Sequence, residues 1–206
     1  MYTPKHFAET DLAAQALMRD YPFATLIGSG EGGPTASHLP LILDSSRGRH
    51  GTLRGHMARA NPQWQSFAGA TGVLVIFQGP HAYISPAWYG ADQAVPTWNY
   101  SAVHAYGTPR VIEAPGAVRT LLEDQVALFE SGFEQPWDTT GLEEGWLAAM
   151  IRGVVAFEIE IARIEAKAKL SQNRPADQAR VAAALERLDG PLNAAVAREI
   201  LAHPPA

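Results

Sequence analysis

Apolar and polar residues alternate along several stretches of the chain, and this period of two is typical of strands that are buried on one face. The clearest stretch runs from Val155 to Ile161, where large apolar residues alternate with alanine and glutamate, so that Glu158 and Glu160 are expected on a solvated face. Glycine, proline and asparagine mark the turns between such stretches. The pattern predicts strands at residues 23–28, 35–43, 52–57, 73–77, 81–85, 98–113 and 155–161.

Two of these predictions depend on glycine and proline within an apolar region. Gln78-Gly79-Pro80 is interpreted as a turn between the strands at 73–77 and 81–85. Gly107-Thr108-Pro109 is interpreted as a break that makes 98–113 either a pair of strands or one bent strand.

A period of three to four residues predicts helices near both ends of the chain and in one long insertion. After Pro115, apolar residues from Val118 to Phe129 fall on a single helical face. Asn61 and Pro62 are typical of the start of a short helix, and Gly190 separates the last two helices. The main predicted helices cover residues 10–19, 115–129, 140–152, 175–188 and 191–202.

The order of these elements indicates the fold class. Six or seven antiparallel strands, with helices at the ends and in one insertion, favour a mainly β fold with α-helices (α+β) over alternating β/α units. The expected architecture is a β-barrel with packed helices. A chain of 206 residues with 47% apolar residues suits one domain over residues 1–206, in which 175–203 form a C-terminal helical pair.

The amino-acid composition excludes several kinds of catalytic and binding site. A formal charge of −5 gives no overall basic field for nucleic acid. The absence of cysteine excludes disulfides, thiolate catalysis and cysteine-based metal sites, and no two histidines have the spacing of a helical zinc motif, so no metal is expected. The chain begins without the layout of a signal peptide and has no apolar run of membrane-spanning length, so a soluble cytoplasmic protein is expected.

The segment Val95–Gly107 carries the most informative side chains. Strand alternation places Tyr100, His104 and Tyr106 on one face, where two phenols and an imidazole could stack on a flat ligand and form hydrogen bonds with it. An ordinary sheet whose polar tips reach solvent explains the same residues.

Gly28, Gly30 and Gly33 match the spacing of a dinucleotide-binding fingerprint. That fingerprint needs a helix directly after the glycines, whereas Pro34 and a strand-like run follow here. A hairpin turn is the better interpretation.

Two polar segments could bind an anion. In Gly55–Pro62, His56 and Arg59 precede a helix start with free backbone N–H groups, which suits a phosphate, although a solvated turn is equally consistent. Lys167–Pro175 follows the last predicted strand and offers many donors for phosphate, ribityl hydroxyls or the polar edge of a flavin. The alternative for this second segment is a polar helix start capped by Asn173.

DNA binding has weaker support. The last two helices could mimic a helix-turn-helix, but between Arg174 and His203 four arginines face four acidic residues, which is a weak footprint for phosphate. Core or dimer packing explains the apolar residues of these helices more simply, namely Val181, Leu185, Leu188, Leu192 and Val196.

Short blocks spread over nearly the whole chain, in one order, resemble the PaiB family, also called FMN-binding negative transcriptional regulators. The region after Leu188 is the least characteristic. The matching blocks are Met1–Phe7, Ser37–Leu41, Gly55–Pro62, Tyr83–Tyr89, Val95–Tyr100 and Lys169–Pro175.

The resemblance implies an antiparallel, Greek-key-like split β-barrel of the pyridoxamine-phosphate-oxidase and flavin-reductase kind. It also implies a homodimer with FMN at the subunit interface, where 55–61 would contact the phosphate and ring, 98–100 would line the cleft and 169–174 would close it. The implied cofactor-binding residues are His56, Met57, Ala58, Arg59, Asn61, Trp98, Asn99, Tyr100, Lys169, Ser171, Gln172, Asn173 and Arg174.

Three functions follow from the resemblance and stay open at this point. The first is a homodimeric FMN-binding negative regulator of transcription, with or without direct DNA contact. The second is an FMN-dependent oxidoreductase acting on a small molecule, and the third is a non-catalytic module that binds haem or another planar ligand.

Overall fold

In the computed structural model, which describes residues 1–30, 32–69, 72–90 and 93–203, seven strands form one sheet in the order β2-β1-β5-β6-β7-β4-β3. The predicted α+β class and the number of strands are confirmed. The strands are β1 (Phe23–Gly30), β2 (Gly33–Pro40), β3 (Ile42–Asp44), β4 (Thr52–Ala58), β5 (Val73–Ile84), β6 (Thr97–Ile112) and β7 (Val154–Lys169).

The helices accompany this sheet. They are α1 (Asp11–Asp20), α2 (Pro115–Glu130), α3 (Glu144–Arg152), α4 (Gln178–Glu186) and α5 (Pro191–Ala202). Short 3₁₀ turns occupy Lys5–Phe7, Pro62–Phe67, Pro86–Trp88 and Pro175–Asp177. Within the described ranges, no helix is both long and apolar enough to cross a membrane.

The hairpin predicted around the glycines is confirmed. β1 and β2 pair antiparallel from Phe23 opposite Pro40 to Gly30 opposite Gly33, and Gly33 adopts a φ of 103° that favours glycine. The returning strand predicted at 35–43 is interrupted at Leu41. The Leu41 backbone N–H still donates to the Pro22 carbonyl at 2.9 Å, in register with the β1–β2 pairing, but Pro22 has no N–H with which to continue the ladder.

Two predicted breaks were wrong. β5 runs through Gln78-Gly79-Pro80 and β6 runs through Gly107-Thr108-Pro109 without interruption. Both glycines serve close packing: a Cβ at Gly79 would lie 3.2 Å from the Ser101 Cβ, and one at Gly107 would collide with the carbonyl oxygen of Glu160. A strand glycine can thus mark close approach of another backbone as well as a turn.

Other boundaries shift for local reasons. α3 begins at Glu144, not near Thr140, because the Glu143 carboxylate caps the helix by accepting from the backbone N–H groups of Gly145 and Trp146. β7 continues to Lys169, so Lys167 and Lys169 belong to the strand itself.

The chain divides into two compact units, and β5, β6 and β7 contribute residues to both. The first unit comprises Met1–Leu17, Phe77–His104 and Glu165–Ala206. In it, α4 and α5 form an apolar cluster with the strands, in which Val181, Leu185 and Val196 are fully buried. Leu188 and Leu192, predicted to pack likewise, are 46% and 47% exposed.

The second unit comprises Met18–Ile76 and Ala105–Ile164. Its α2 packs Val118 and Leu121 against Ala156 of β7, as the amphipathic pattern of this helix predicts. Phe129, at the end of the predicted apolar face, is 37% exposed.

Candidate functional site

His56 lies on β4 in the second unit, opposite Ala156 of β7. Its Nδ1 is 2.7 Å from the Gln125 Oε1 on α2, and the Gln125 Nε2 donates to the Pro40 carbonyl at 3.0 Å. Because the amide nitrogen is used in this way, the amide oxygen accepts and the His56 Nδ1 donates. The neutral ring therefore offers Nε2 as an acceptor, and only the protonated ring could donate to a phosphate.

Arg59 extends the same segment beyond the end of β4. Its Nε and Nη2 donate to the carbonyls of Arg152 and Val154, both at 2.8 Å, which fixes the guanidinium plane. The side chain is exposed, and a guanidinium carries further N–H groups that can meet an anion.

The remaining predicted residues of this segment contribute less through their side chains. Met57 is 2% exposed and belongs to the core, so that a ligand could meet only its backbone. Asn61 caps the 3₁₀ turn by accepting from the Gln63 N–H at 3.0 Å, and it donates to the Ser37 hydroxyl at 2.8 Å. Ala58 is exposed.

Asn99 and Ser171 form the centre of a second group, in the first unit. Asn99 is 1% exposed, and its Nδ2 donates to the Ser171 Oγ at 2.9 Å. Ser171 is buried and has a φ of 64°, a left-handed conformation that non-glycine residues adopt at an energetic cost. Strain of this kind is concentrated where a protein holds a ligand.

Lys169 lies beside this pair. Its ammonium donates to the Thr97 hydroxyl and to the Trp98 carbonyl, the latter at 3.0 Å. Burial lowers the pKa of Lys169 below its ordinary value, and the positive charge of Lys167 lowers that pKa further. A nearby anion would favour the charged form of Lys169.

The turn after Ser171 is less open than the sequence implies. Gln172 uses its amide within its own segment, accepting from the Leu170 N–H at 2.7 Å and donating to the Ala168 carbonyl at 2.8 Å. Asn173 is exposed, but the predicted helix cap is wrong, because Arg174 occupies the cap position without a capping side-chain bond. The Arg174 guanidinium lies 4.5 Å from the ring centre of Tyr89.

The predicted aromatic face of β6 is partly covered. The Arg163 guanidinium lies 3.6 Å from the ring centre of Tyr106, and the Lys167 ammonium lies 5.1 Å from that of Tyr100. Trp98 remains 53% exposed, with Tyr83 in edge contact at 6.1 Å between ring centres. Of the predicted rings, Trp98 is therefore the best placed to meet a flat ligand.

Two side-chain atoms among the described residues are buried without any hydrogen-bond partner, and they are the Gln63 Oε1 and the Asn99 Oδ1. Gln63 lies two residues after the Asn61 cap and donates to the Leu26 carbonyl at 3.1 Å, but the sequence pattern does not single it out. No spacing signal could have found it, since only the fold buries this amide. The chain therefore has two polar groups, one around His56, Arg59 and Gln63 and one around Asn99, Lys169 and Ser171. Each group contains one buried acceptor that lacks a donor.

The solvated face predicted for Glu158 is wrong. Glu158 is buried on β7 and accepts from Arg47 at 2.9 Å and from Arg110, whereas Glu160 is exposed as predicted. Both arginines are distant in sequence, so alternation alone could not reveal this cluster.

Comparison with known proteins identifies the family. Residues 1–163 match the model of a family described as "Putative FMN-binding domain". The chain is 39% identical over 177 residues to the protease synthase and sporulation protein PAI 2 of Bacillus subtilis. The aligned region covers 84% of this chain and 83% of that protein.

Solved structures support the fold alone. The flavocytochrome Anf3 from Azotobacter vinelandii has a TM-score of 0.61 at 13% identity, over 77% of this chain and 67% of its own. The FAD and heme binding protein from Mycobacterium smegmatis has a TM-score of 0.59 at 18% identity, over 80% and 74%. The sheet is that of the flavin-binding split β-barrel, and the chain belongs to the PaiB family of FMN-binding proteins, with FMN as its cofactor.

Proposed function

We propose that this chain is a homodimeric, cytoplasmic negative regulator of transcription that binds FMN, and that each of the two polar groups described above supplies residues for FMN binding in the dimer. The observation that carries the assignment of the site is the pair of buried acceptors without donors, the Gln63 Oε1 and the Asn99 Oδ1. A buried polar atom without a partner costs about 1–3 kcal/mol, so such atoms call for a missing donor. FMN offers donors in its ring N–H and its ribityl hydroxyls.

The cations of the two groups suit the FMN phosphate. Arg59 is held by two backbone carbonyls and keeps N–H groups for an anion, and such pre-orientation reduces the entropy lost on binding. Lys169 and Arg174 supply positive charge near Asn99 and Ser171 in the other group. When bound, FMN supplies electron and hydride transfer, while these residues bind and orient it.

The remaining predicted contacts have smaller roles in this proposal. His56 would accept from a ring or ribityl donor through Nε2, and Trp98 would pack against the flat ring. Met57, Ala58 and Asn61 would contribute backbone groups, and the exposed Asn173 would offer its amide. Tyr100 and Gln172 would support the site, because each is already engaged by a neighbour.

A regulatory role rests on the resemblance and on the name of the Bacillus subtilis relative, which refers to protease synthesis and sporulation. Charge gives little support for a direct contact with DNA, because four acidic residues offset the four arginines between Arg174 and His203. We therefore propose that the regulatory effect is mainly indirect and depends on whether FMN is bound and in which redox state.

An absorption spectrum of the purified protein, followed by titration with FMN under fluorescence detection, tests this site. Arg59→Ala and Arg174→Ala should each raise the Kd for FMN about tenfold, the order expected for one charge-assisted hydrogen bond. Arg49→Ala, at an exposed turn, is the matched control and should leave the Kd unchanged.

The outcomes separate the possible functions. Unchanged affinity in both variants would refute the assignment of the phosphate site. Rapid NADPH oxidation by the FMN-loaded protein would favour an oxidoreductase, and a haem spectrum without FMN uptake would favour a non-catalytic module. Sedimentation velocity tests the homodimer.

A further inference from the structure

A groove of about 480 Å³ lies within the first unit, between the turn at Pro86–Trp88 and the outer face of α4. Small-molecule sites in proteins commonly have volumes of about 300–1,000 Å³. One wall is aromatic, the floor is small and apolar, and the rim is basic. Trp88 and Tyr89 form the aromatic wall, Ala179 and Ala183 form the floor, and Arg180 and Arg187 form the rim.

The two arginines are available for a ligand. Arg180 and Arg187 are exposed, and neither forms a hydrogen bond or ion pair with another described residue. Arg180 lies in the first turn of α4, and Arg187 caps the C-terminal end of this helix seven residues later, which places the two on the same side and about 10 Å apart along the axis. Guanidinium groups bind phosphate oxygens through paired N–H donors, so this rim suits an anion with extended charge.

The aromatic wall is held in place. Trp88 packs against the apolar cluster of α4 and α5. The Tyr89 ring has the Arg174 guanidinium 4.5 Å from its centre, and burial raises the pKa of its hydroxyl despite Arg174 and a hydrogen bond with Ser171. Rings that are already fixed can stack on a flat ligand without a further loss of side-chain entropy.

The turn and the helix are also tied together. The Gly90 N–H donates to the Asp177 Oδ1 at 2.8 Å, directly before α4. A Cβ at Gly90 would collide with the Arg180 guanidinium, so glycine leaves room for this side chain at the rim. Ala179 and Ala183, one turn apart, let a flat group approach the helix surface. The groove is therefore a fixed feature between two joined elements.

We propose that this groove binds an adenylate group, with the purine ring between the aromatic wall and the alanine floor and the phosphate on Arg180 and Arg187. A flat ring with an attached phosphate matches this combination of surfaces better than a simple carboxylate, which would use only the arginines. The adenylate could belong to a free nucleotide or to a dinucleotide coenzyme. The residues that line the groove differ from those assigned to FMN, although Tyr89 in its wall contacts Arg174 and Ser171 of the FMN set.

Isothermal titration of the full chain with ADP and, separately, with NADP⁺ tests the proposal. Arg180→Ala and Arg187→Ala should each raise the Kd for the nucleotide about tenfold, as expected for loss of a charge-assisted bond. Ala179→Glu should abolish binding by charge repulsion, and it should not harm folding, because an exposed acid near a helix N-terminus is favourable. Arg198→Ala, at an exposed position of α5, is the control and should change nothing.

Each outcome decides one point. Similar affinity for ADP and NADP⁺ would support the site and indicate a free nucleotide, whereas much tighter binding of NADP⁺ would support it and indicate a dinucleotide. No binding of either probe up to about 1 mM, or binding that none of the groove variants weakens, would overturn the proposal. The FMN affinity of the groove variants should match that of the wild type, so failure of this site and failure of the FMN site are distinguishable.

Discussion

Glu158 and Asn99 are both buried polar residues, but their surroundings differ. Glu158, 9% exposed in the second unit, accepts hydrogen bonds from two arginines, Arg47 and Arg110. Asn99, 1% exposed in the first unit, donates to Ser171 while its Oδ1 has no partner. One buried group is fully compensated within the chain, and the other is not.

This difference separates a structural polar centre from a binding centre. A buried carboxylate is tolerated only when paired, and the two guanidiniums provide that pairing. Burial alone would raise the pKa of Glu158, but the hydrogen bonds from Arg110 and Arg47 outweigh it and hold that pKa below its ordinary value of 4.5. The Asn99 oxygen lacks such compensation, which a bound donor would supply.

The largest effect is expected from Glu158→Gln. The change removes the carboxylate that accepts from Arg47 and Arg110, and a hydrogen bond to a charged group contributes about 1.5–3 kcal/mol. Because the Arg47 and Arg110 side chains are 45% and 73% exposed and regain water, no buried charge is left unpaired, and we expect a loss of about 2 kcal/mol. Urea denaturation measures it, and Glu160→Gln, at the exposed position two residues along β7, should cost less than about 0.5 kcal/mol.

Acid provides a second check on the same group. A lowered pKa in the folded state means that the Glu158 contribution is present above the ordinary value of 4.5 and is lost as pH falls through the folded value. Between about pH 7 and pH 3 the wild type should therefore lose more stability than Glu158→Gln does. Equal losses in the two proteins, or equal costs for the two glutamine variants, would contradict a compensated centre at Glu158.

The fold could largely be predicted because it follows from local patterns. Alternation located the strands, the glycine-rich turn indicated the hairpin, and the stripe beginning at Val118 indicated α2. Gly79 and Gly107 were misinterpreted as breaks because glycine permits both a turn and the close approach of another chain segment. Only the identity of the neighbouring atoms, which the fold decides, separates the two.

The candidate site was less predictable for the same reason. The resemblance pointed to segments, but it could not show that Met57 faces the core or that Gln172 bonds to its own backbone. The two informative acceptors, on Gln63 and Asn99, acquire their meaning only from burial. Likewise, the arginines that compensate Glu158 are brought to β7 from elsewhere in the chain.

A smaller effect, on binding rather than stability, is expected from Asn99→Ala. The Kd for FMN should rise about tenfold, because the buried acceptor that we assign to the flavin is lost. The free energy of unfolding should change by less than about 1 kcal/mol, since the lost bond to Ser171 is offset by removal of an unsatisfied oxygen. Fluorescence titration and urea denaturation measure the two quantities.

The matched control for this prediction is Ser101→Ala on the same strand. Ser101 is also buried, but its hydroxyl donates to the Glu199 carboxylate. Its loss should reduce stability and leave the Kd for FMN unchanged. The reverse pattern, with FMN affinity lost in Ser101→Ala and kept in Asn99→Ala, would remove the distinction between a compensated and an uncompensated polar group.

The smallest effect concerns the backbone beside Asn99. Ser171 holds a φ of 64°, where a Cβ is strained and glycine is not. Ser171→Ala and Ser171→Gly both remove the hydroxyl that accepts from Asn99, but only glycine relieves the strain, at some cost in unfolded-state entropy. We therefore expect the glycine variant to be more stable than the alanine variant by about 0.5–1 kcal/mol in urea denaturation. Equal stability of the glycine and alanine variants would mean that the backbone at residue 171, beside Asn99, is not strained in solution.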